Sequence, residues 1–295
     1  MEQLGLEGMP RRLYSCTPSR LNNWLDCPRR YRMTYLDRPM PSKGLPWAHN
    51  SMGAAVHNAL AAWWRLPVAD RTAAPAGTLL SRGWLTDGFR DGEQSAAWRE
   101  RARVMVEDYA AALDPLDEPA GVERTVATKT EVIAVSGRID RLDDRGAELA
   151  VVDYKTGRRP LTSDDARGSL ALALYAIASS RVLRKPCHTV ELHHLPTGTV
   201  ASWRHTDESL ARHLGRAEAI AAECADADDA YRTKIPKPRR PVDAPPDHAP
   251  YDEVFPPSTG PLCGWCDFAR HCPEGQAATT RREPWAALDD HPAVT

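Results

Sequence analysis

Phenylalanine is scarce here, with three in 295 residues, and no apolar run approaches the length of about 20 residues that spans a bilayer. A transmembrane helix is therefore excluded as an expectation. The opening Met1-Glu-Gln-Leu-Gly-Leu-Glu lacks the basic start and apolar stretch of a secretory leader, so a cytoplasmic location is expected. No Gly-x-x-x-x-Gly-Lys phosphate loop occurs, which argues against a built-in nucleotide-driven motor. Neither charge sign dominates: 38 Lys and Arg face 40 Asp and Glu, for a net charge of −2. That balance argues against coating nucleic acid by bulk charge, but leaves room for a local basic channel. Internal repeats are lacking. The seven cysteines are an odd number, and in a reducing compartment their grouping points to metal rather than disulfides. A chain of this length can bury a full core, as one large domain or a domain with an extension.

Against that background one stretch stands apart. Val135-Ser-Gly-Arg-Ile-Asp140-Arg-Leu and Glu148-Leu-Ala-Val-Val-Asp153-Tyr-Lys155 flank the turn-forming cluster Asp143-Asp-Arg-Gly146, a β-hairpin pattern. Antiparallel strands here would set Asp140 and Asp153, thirteen positions apart, side by side. Asp153 and Lys155 are two apart, so they project from one face of their strand. Two carboxylates offer the hard oxygen ligands that Mg²⁺ or Mn²⁺ prefers. An ammonium beside them can hold a scissile phosphate or polarise an attacking water. A surface hairpin with a cross-strand ion pair is the competing reading.

The second constellation is made of thiols. Cys263-Gly-Trp-Cys266-Asp-Phe-Ala-Arg-His-Cys272-Pro is a Cys-x2-Cys-x5-Cys run, and Cys27 lies far upstream in Trp24-Leu-Asp-Cys27-Pro-Arg-Arg-Tyr31. Four thiolates hold either a tetrahedral zinc or an iron–sulfur cluster, and spacing does not decide between them. Either would staple the N-terminal segment to the C-terminal one and leave the apo-protein unstable. Cys16, Cys187 and Cys224 follow no pattern and read as core or surface thiols.

Arginines interleaved with aromatics suit single nucleic-acid strands, where bases stack and phosphates pair. Arg29, Arg30 and Arg32 with Tyr31 and Tyr35 form one such group, and Tyr231-Arg-Thr-Lys-Ile-Pro-Lys-Pro-Arg-Arg240 another. A solvated charged face is the alternative for each.

Residues 17 to 36 read as helix, broken near Pro28. Ser51-Met-Gly-Ala-Ala-Val-His57-Asn-Ala-Leu starts another. Residues 73 to 113 read as helical, part of an insertion at about 66–121. From Val122 to Thr156 the texture turns to β-branched alternation in three strands. A helix from Ser169, strands at 188–195 and 200–205, and a helix over 207–224 follow. Pro236 to Pro261 holds nine prolines and leaves little room for regular structure. The expected division is an N-terminal helical segment 1–48, a core at 49–224, and a proline-rich linker with the cysteine segment at 225–295.

In that order the motifs resemble the PD-(D/E)XK nucleases. Gly137-Arg-Ile-Asp140 and Val152-Asp153-Tyr154-Lys155-Thr-Gly157 look like the RecB-type exonuclease branch. The resemblance implies an α/β class, with a restriction-endonuclease-like αβββαβ core carrying a helical insertion and a cysteine-clasped extension at each end. It implies that His57, in Gly53-Ala-Ala-Val-His57, joins Asp140 and Asp153 as a metal ligand, with the Tyr154 carbonyl a further one and Lys155 catalytic. Tyr175 matches the tyrosine of a Gln-x-x-x-Tyr motif, whereas the glutamine position holds Ala171, a departure that puts substrate positioning in doubt. An iron–sulfur subset of this branch carries one cysteine before the nuclease core and three after it. That implies a [4Fe–4S] cluster on Cys27, Cys263, Cys266 and Cys272, with zinc as the fallback. A Cys-Pro-x-x-Tyr segment also belongs to the pattern and supports Arg29, Arg30 and Tyr31 as DNA-binding residues. The implied activity is divalent-metal-dependent exonuclease cleavage of DNA, single-stranded ends above duplex, in repair or recombination, with a helicase or repair partner in trans. A non-catalytic single-strand-binding or repair-partner module is the alternative.

Overall fold

The computed structural model describes residues 13–233 and 248–289. A short strand β1 (Tyr14–Cys16) leads into α1 (Pro18–Asp26) and α2 (Pro28–Tyr35). Thr17 caps α1 through the Arg20 amide at 3.1 Å. Pro28 disfavours helical backbone in the residue before it, and Cys27 is accordingly extended, ending α1 and opening α2. Next come α3 (Ala48–Trp63), α4 (Ala73–Arg82) and α5 (Gly92–Ala111). The stretch 73–113, expected to be helical, thus holds two helices. The chain leaves α4 at Gly83 and re-enters helix only where the Asp91 carboxylate caps the Gln94 amide at 2.7 Å.

The strands β2 (Gly121–Lys129), β3 (Ile133–Asp144) and β4 (Leu149–Lys155) form a meander. After it come the one-and-a-half-turn α6 (Ser163–Gly168), α7 (Leu170–Leu183), the hairpin β5 (Cys187–His194) and β6 (Thr199–Arg204), and the long α8 (Asp207–Thr233). A last helix, α9 (Pro273–Ala278), follows two 3₁₀ turns that carry the cysteine run. The mixed sheet runs β1-β3-β4-β5-β6, with β2 on the other edge of β3. The expected αβββαβ order is present as α3, β2, β3, β4, α7 and β5.

Three apolar cores flank the sheet. The α3, α4 and α5 layer packs Met52, Val56, Leu60 and Trp63 against Val152 and Tyr154. On the opposite side α7 packs Leu172, Ala173 and Ala176 against Ile139, Leu142 and Val151. The third core joins Leu21 and Tyr31 to Ala217, Ile220 and Phe255, so the N-terminal helices lie against α8 and the segment after it. No helix among the described residues is long and apolar enough to cross a membrane.

Candidate active site

Strand pairing along β3 opens a fork. β2 covers one edge of β3 from Ala134 to Leu142. On the other edge β1 pairs only with Ile133–Val135, and β4 only with Arg141–Asp144. Residues 136–140 are left without a strand on that edge. The last rung joins Arg141 to Val152, so Asp140 and Asp153 stand just beyond it, where the strands part. Across the gap the Tyr154 amide donates to Asp140 Oδ2 at 2.8 Å, a side-chain bond in place of a ladder bond.

Helix α3 supplies the imidazole. His57 Nδ1 lies 3.1 Å from Asp140 Oδ1. Gly53, one turn earlier on the same helix face, lets the helix come close to the exit of β4, since a Cβ there would stand 3.4 Å from Thr156 Oγ1. Burial alone would lower the His57 pKa, but the hydrogen bond and charge of Asp140, with Asp153 and Glu123 behind it, raise it above its ordinary value. Lys155 Nζ lies 2.5 Å from Asp153 Oδ2. Burial pushes the Asp153 carboxyl up, Lys155 opposes that shift, and Asp140 adds to it.

Glu123 is a site residue that sequence reasoning missed. It sits in β2 between the rungs Val122–Arg141 and Arg124–Ile139, opposite Asp140, with φ at 49°. For a non-glycine residue that is a sparsely populated conformation, held only where the surroundings determine it. Ligand atoms of His57, Glu123 and Asp140 all lie within 4.8 Å of one another. Glu123 also pairs with Arg138 at 2.7 Å. Its carboxyl is pushed up by burial, with Arg138 opposing and Asp140 adding. Carboxylates strained toward protonation beside an imidazole are a donor set that fits a hard divalent cation. The tight grouping is therefore His57, Asp140 and Glu123, while Asp153 turns to Lys155.

Tyr175 reaches the same place from α7. A Cβ on Gly137 would stand 2.3 Å from Tyr175 Cε1, so the glycine of Gly137-Arg-Ile-Asp makes room for the tyrosine ring. Burial, then the charges of Asp153 and Asp140, push the Tyr175 hydroxyl up to about 12. Ala171, one turn before it, is half-buried. The Tyr154 side chain is 2% exposed and turned into the interior, accepting a hydrogen bond from Trp64 Nε1 at 3.3 Å.

Cys27, Cys263, Cys266 and Cys272 line one cavity, together with Arg29, Arg30 and Met33. Among the described residues no three of these sulfurs come within 4.8 Å of one another. Gly275 packs against the thiols: a Cβ there would touch Cys272 Sγ at 3.4 Å and Cys263 Sγ at 3.5 Å. Burial pushes the Cys266 thiol up to about 11, and raises Cys272 against the opposing pull of Arg29. Binding a metal here would have to displace those protons.

The expectation that Arg29 and Tyr31 contact DNA is corrected by their burial. Arg29 is 1% exposed: Nη2 bonds Asp252 at 2.7 Å and Glu274 at 3.1 Å, and Nη1 lies 3.4 Å from Cys272 Sγ. Tyr31 is fully buried, donating to Asp228 at 2.8 Å and accepting from Arg20. Periodicity in this segment marks the packed side of α2, where Arg29 neutralises Asp252 and Glu274 of the C-terminal segment and Arg32 pairs with Asp37. Arg30 is partly exposed at the cysteine cavity and pairs with Asp26 at 2.7 Å. Of the second basic group, Tyr231 stacks on Tyr251 at 5.3 Å, and positions 234–240 lie outside the described residues.

A sheet fork that gathers carboxylates, an imidazole and a lysine is a layout suited to metal-assisted phosphodiester hydrolysis. The family model of the PD-(D/E)XK nuclease superfamily matches residues 15–273, and the chain belongs to that superfamily. No curated protein matches it. Among solved structures it is similar to a protein from Eubacterium rectale named "Putative exonuclease", at 11% identity and a TM-score of 0.43, over 78% of this chain and 86% of that one. It is also similar to SSO0001, at 12% identity and a TM-score of 0.33, over 91% and 90% of the two chains. At those identities and scores the likeness says nothing further about this chain.

Proposed function

We propose that this nuclease is a divalent-metal-dependent DNA exonuclease of the RecB type, acting on single-stranded ends in repair or recombination. The observation that carries the reading is the fork, where His57, Asp140, Glu123, Asp153 and Lys155 meet. His57, Asp140 and Asp153 would hold Mg²⁺ or Mn²⁺, with Glu123 beside them and the Tyr154 carbonyl as a further ligand. When bound, the ion lowers the pKa of a water and offsets charge on the phosphorane. Asp140 fixes the tilt of the imidazole through the 3.1 Å contact. Lys155 orients the phosphate or the attacking water, and its charge opposes the upward push that burial gives the Asp153 carboxyl. Tyr175 would stack on or hydrogen-bond the substrate strand beside the fork.

The cysteine cavity is proposed to hold a [4Fe–4S] cluster. Four thiolates hold either this cluster or a tetrahedral zinc, which is the fallback. Iron and sulfide content of anaerobically purified protein decides between the two.

The test of the nuclease reading is Mn²⁺-dependent degradation of end-labelled single-stranded DNA, with Lys155→Ala beside the wild type. Loss of mononucleotide release by several orders of magnitude in Lys155→Ala is expected. Equal activity in the two proteins, or no activity in the folded, cluster-loaded wild type, would refute it.

A further inference from the structure

A second charged feature lies away from the fork. Arg167, Trp203, Arg204, Arg212, His213 and Arg216 line an open groove of about 500 Å³ between α6, β6 and α8. Its floor follows from helix geometry. Ser209, Arg212, His213 and Arg216 recur at three- and four-residue spacing, so they form one stripe on α8. Arg212 and Arg216 are exposed, and neither is in an ion pair among the described residues. Arg167 pairs with Asp164 at 3.5 Å and Arg204 with Glu148, both at the surface, where such pairs contribute little and exchange readily for a phosphate.

One further observation points to a ligand rather than a solvated charged face. The Trp203 ring lines the groove beneath the Arg167 guanidinium, 5.3 Å from the centroid, and its indole N–H has no hydrogen-bond partner among the described residues. An unpaired donor is costly, and an acceptor brought by a ligand would relieve it.

The groove and the fork border one core, on which Trp203 and Tyr175 both pack. Gly168, at the groove rim, closes α6, and α7, which carries Tyr175, begins at Leu170.

We propose that this groove is a second nucleic-acid site, which holds the backbone of a single strand whose end occupies the metal site. Arg212 and Arg216 take phosphates, and Trp203 with Arg167 takes a base. The proposal rests on the nuclease reading for its direction, and deepens it by naming where the strand runs.

The experiment is fluorescence anisotropy of a 5′-labelled thymidine 20-mer in EDTA across a KCl series, for the wild type and for Arg212→Gln/Arg216→Gln. Losing two phosphate contacts should weaken binding about tenfold and flatten the salt slope by about 1.4. In Mn²⁺ the KM for the 20-mer should rise by a similar factor with kcat held. Hydrolysis of p-nitrophenyl thymidine 5′-phosphate, too short to reach the groove, should be unchanged. An unchanged salt slope in a variant facing a wild type that binds would overturn the groove, as would a wild type that does not bind. Groove-dependent binding without any cleavage would sink the nuclease reading and leave the groove standing. A larger loss on duplex of the same sequence would overturn the assignment to single strands.

Discussion

Arg29→Ala separates a structural arginine from a DNA contact. In the native protein the side chain is buried, and removing its Cγ and Cδ methylenes at about 0.8 kcal/mol each costs about 1.6 kcal/mol. The guanidinium bonds Asp252 and Glu274, whose side chains remain 43% and 45% exposed. Water can therefore re-solvate both carboxylates once the arginine is gone, which limits that part to about 1–2 kcal/mol in total. The sum is about 3 kcal/mol. At 2–4 °C per kcal/mol for a protein of this size class, the midpoint should fall by roughly 5–14 °C. Arg29→Lys should recover only part of it, because a point charge cannot span two carboxylates as the planar fork does. Circular dichroism melts of the three proteins, purified under the same cluster-loading conditions, read the shift directly. Single-strand affinity measured well below the midpoint should be unchanged. A midpoint within about 2 °C of wild type, together with weakened DNA binding and a shallower salt slope, would refute the structural assignment and return Arg29 to the nucleic-acid surface.

Protons and metal should compete at the fork. His57 has a raised pKa in the folded, metal-free protein, so its protonated form stabilises the fold fully below its ordinary pKa, and that stability is lost as pH rises through the folded value. Glu123 and Asp153, also raised, favour the protonated fold in the same sense. Mn²⁺ needs these groups deprotonated, so its affinity should climb from pH 6 to 8 with proton release. Titration calorimetry in two buffers of different ionisation heat measures this, and a pH-independent affinity would count against the ligand set. Glu123→Gln should lower Mn²⁺ affinity by about tenfold while keeping the fold, and an unchanged affinity would leave Glu123 as a partner of Arg138 alone. Gly137→Ala should drive the Tyr175 ring off the fork, since its Cβ would lie 2.3 Å from Cε1, with overpacking of about 1–3 kcal/mol. Its kcat should then match that of Tyr175→Ala with Mn²⁺ affinity retained, and full activity beside an impaired Tyr175→Ala would show the ring is not needed there.

Local chemistry made the hairpin legible, because Asp143-Asp-Arg-Gly146 between β-branched runs leaves few other structures open. Asp153 and Lys155 could be read together because side chains two apart share a strand face whatever the tertiary fold does. Pro28 announced the break between α1 and α2 just as plainly, through its effect on Cys27. Failures came where the deciding partner is distant. Arg29 and Tyr31 have the composition of a nucleic-acid surface, and only Asp252, Glu274 and Asp228, about two hundred residues on, turn that charge inward. Glu123 carries no motif: a glutamate in an alternating strand is ordinary, and it becomes a site residue through the β2–β3 register and one backbone angle. The helix break at Gly83 was hidden because Trp84 and Phe89 continue the apolar pattern across it, packing on the same core while the backbone between them is not helical. The same logic explains why the fork, unlike the hairpin, could not be read in advance. Its carboxylates converge because the β1 ladder along β3 stops at Val135 and the β4 ladder begins only at Arg141, and the gap between those two ladders is set by the whole sheet.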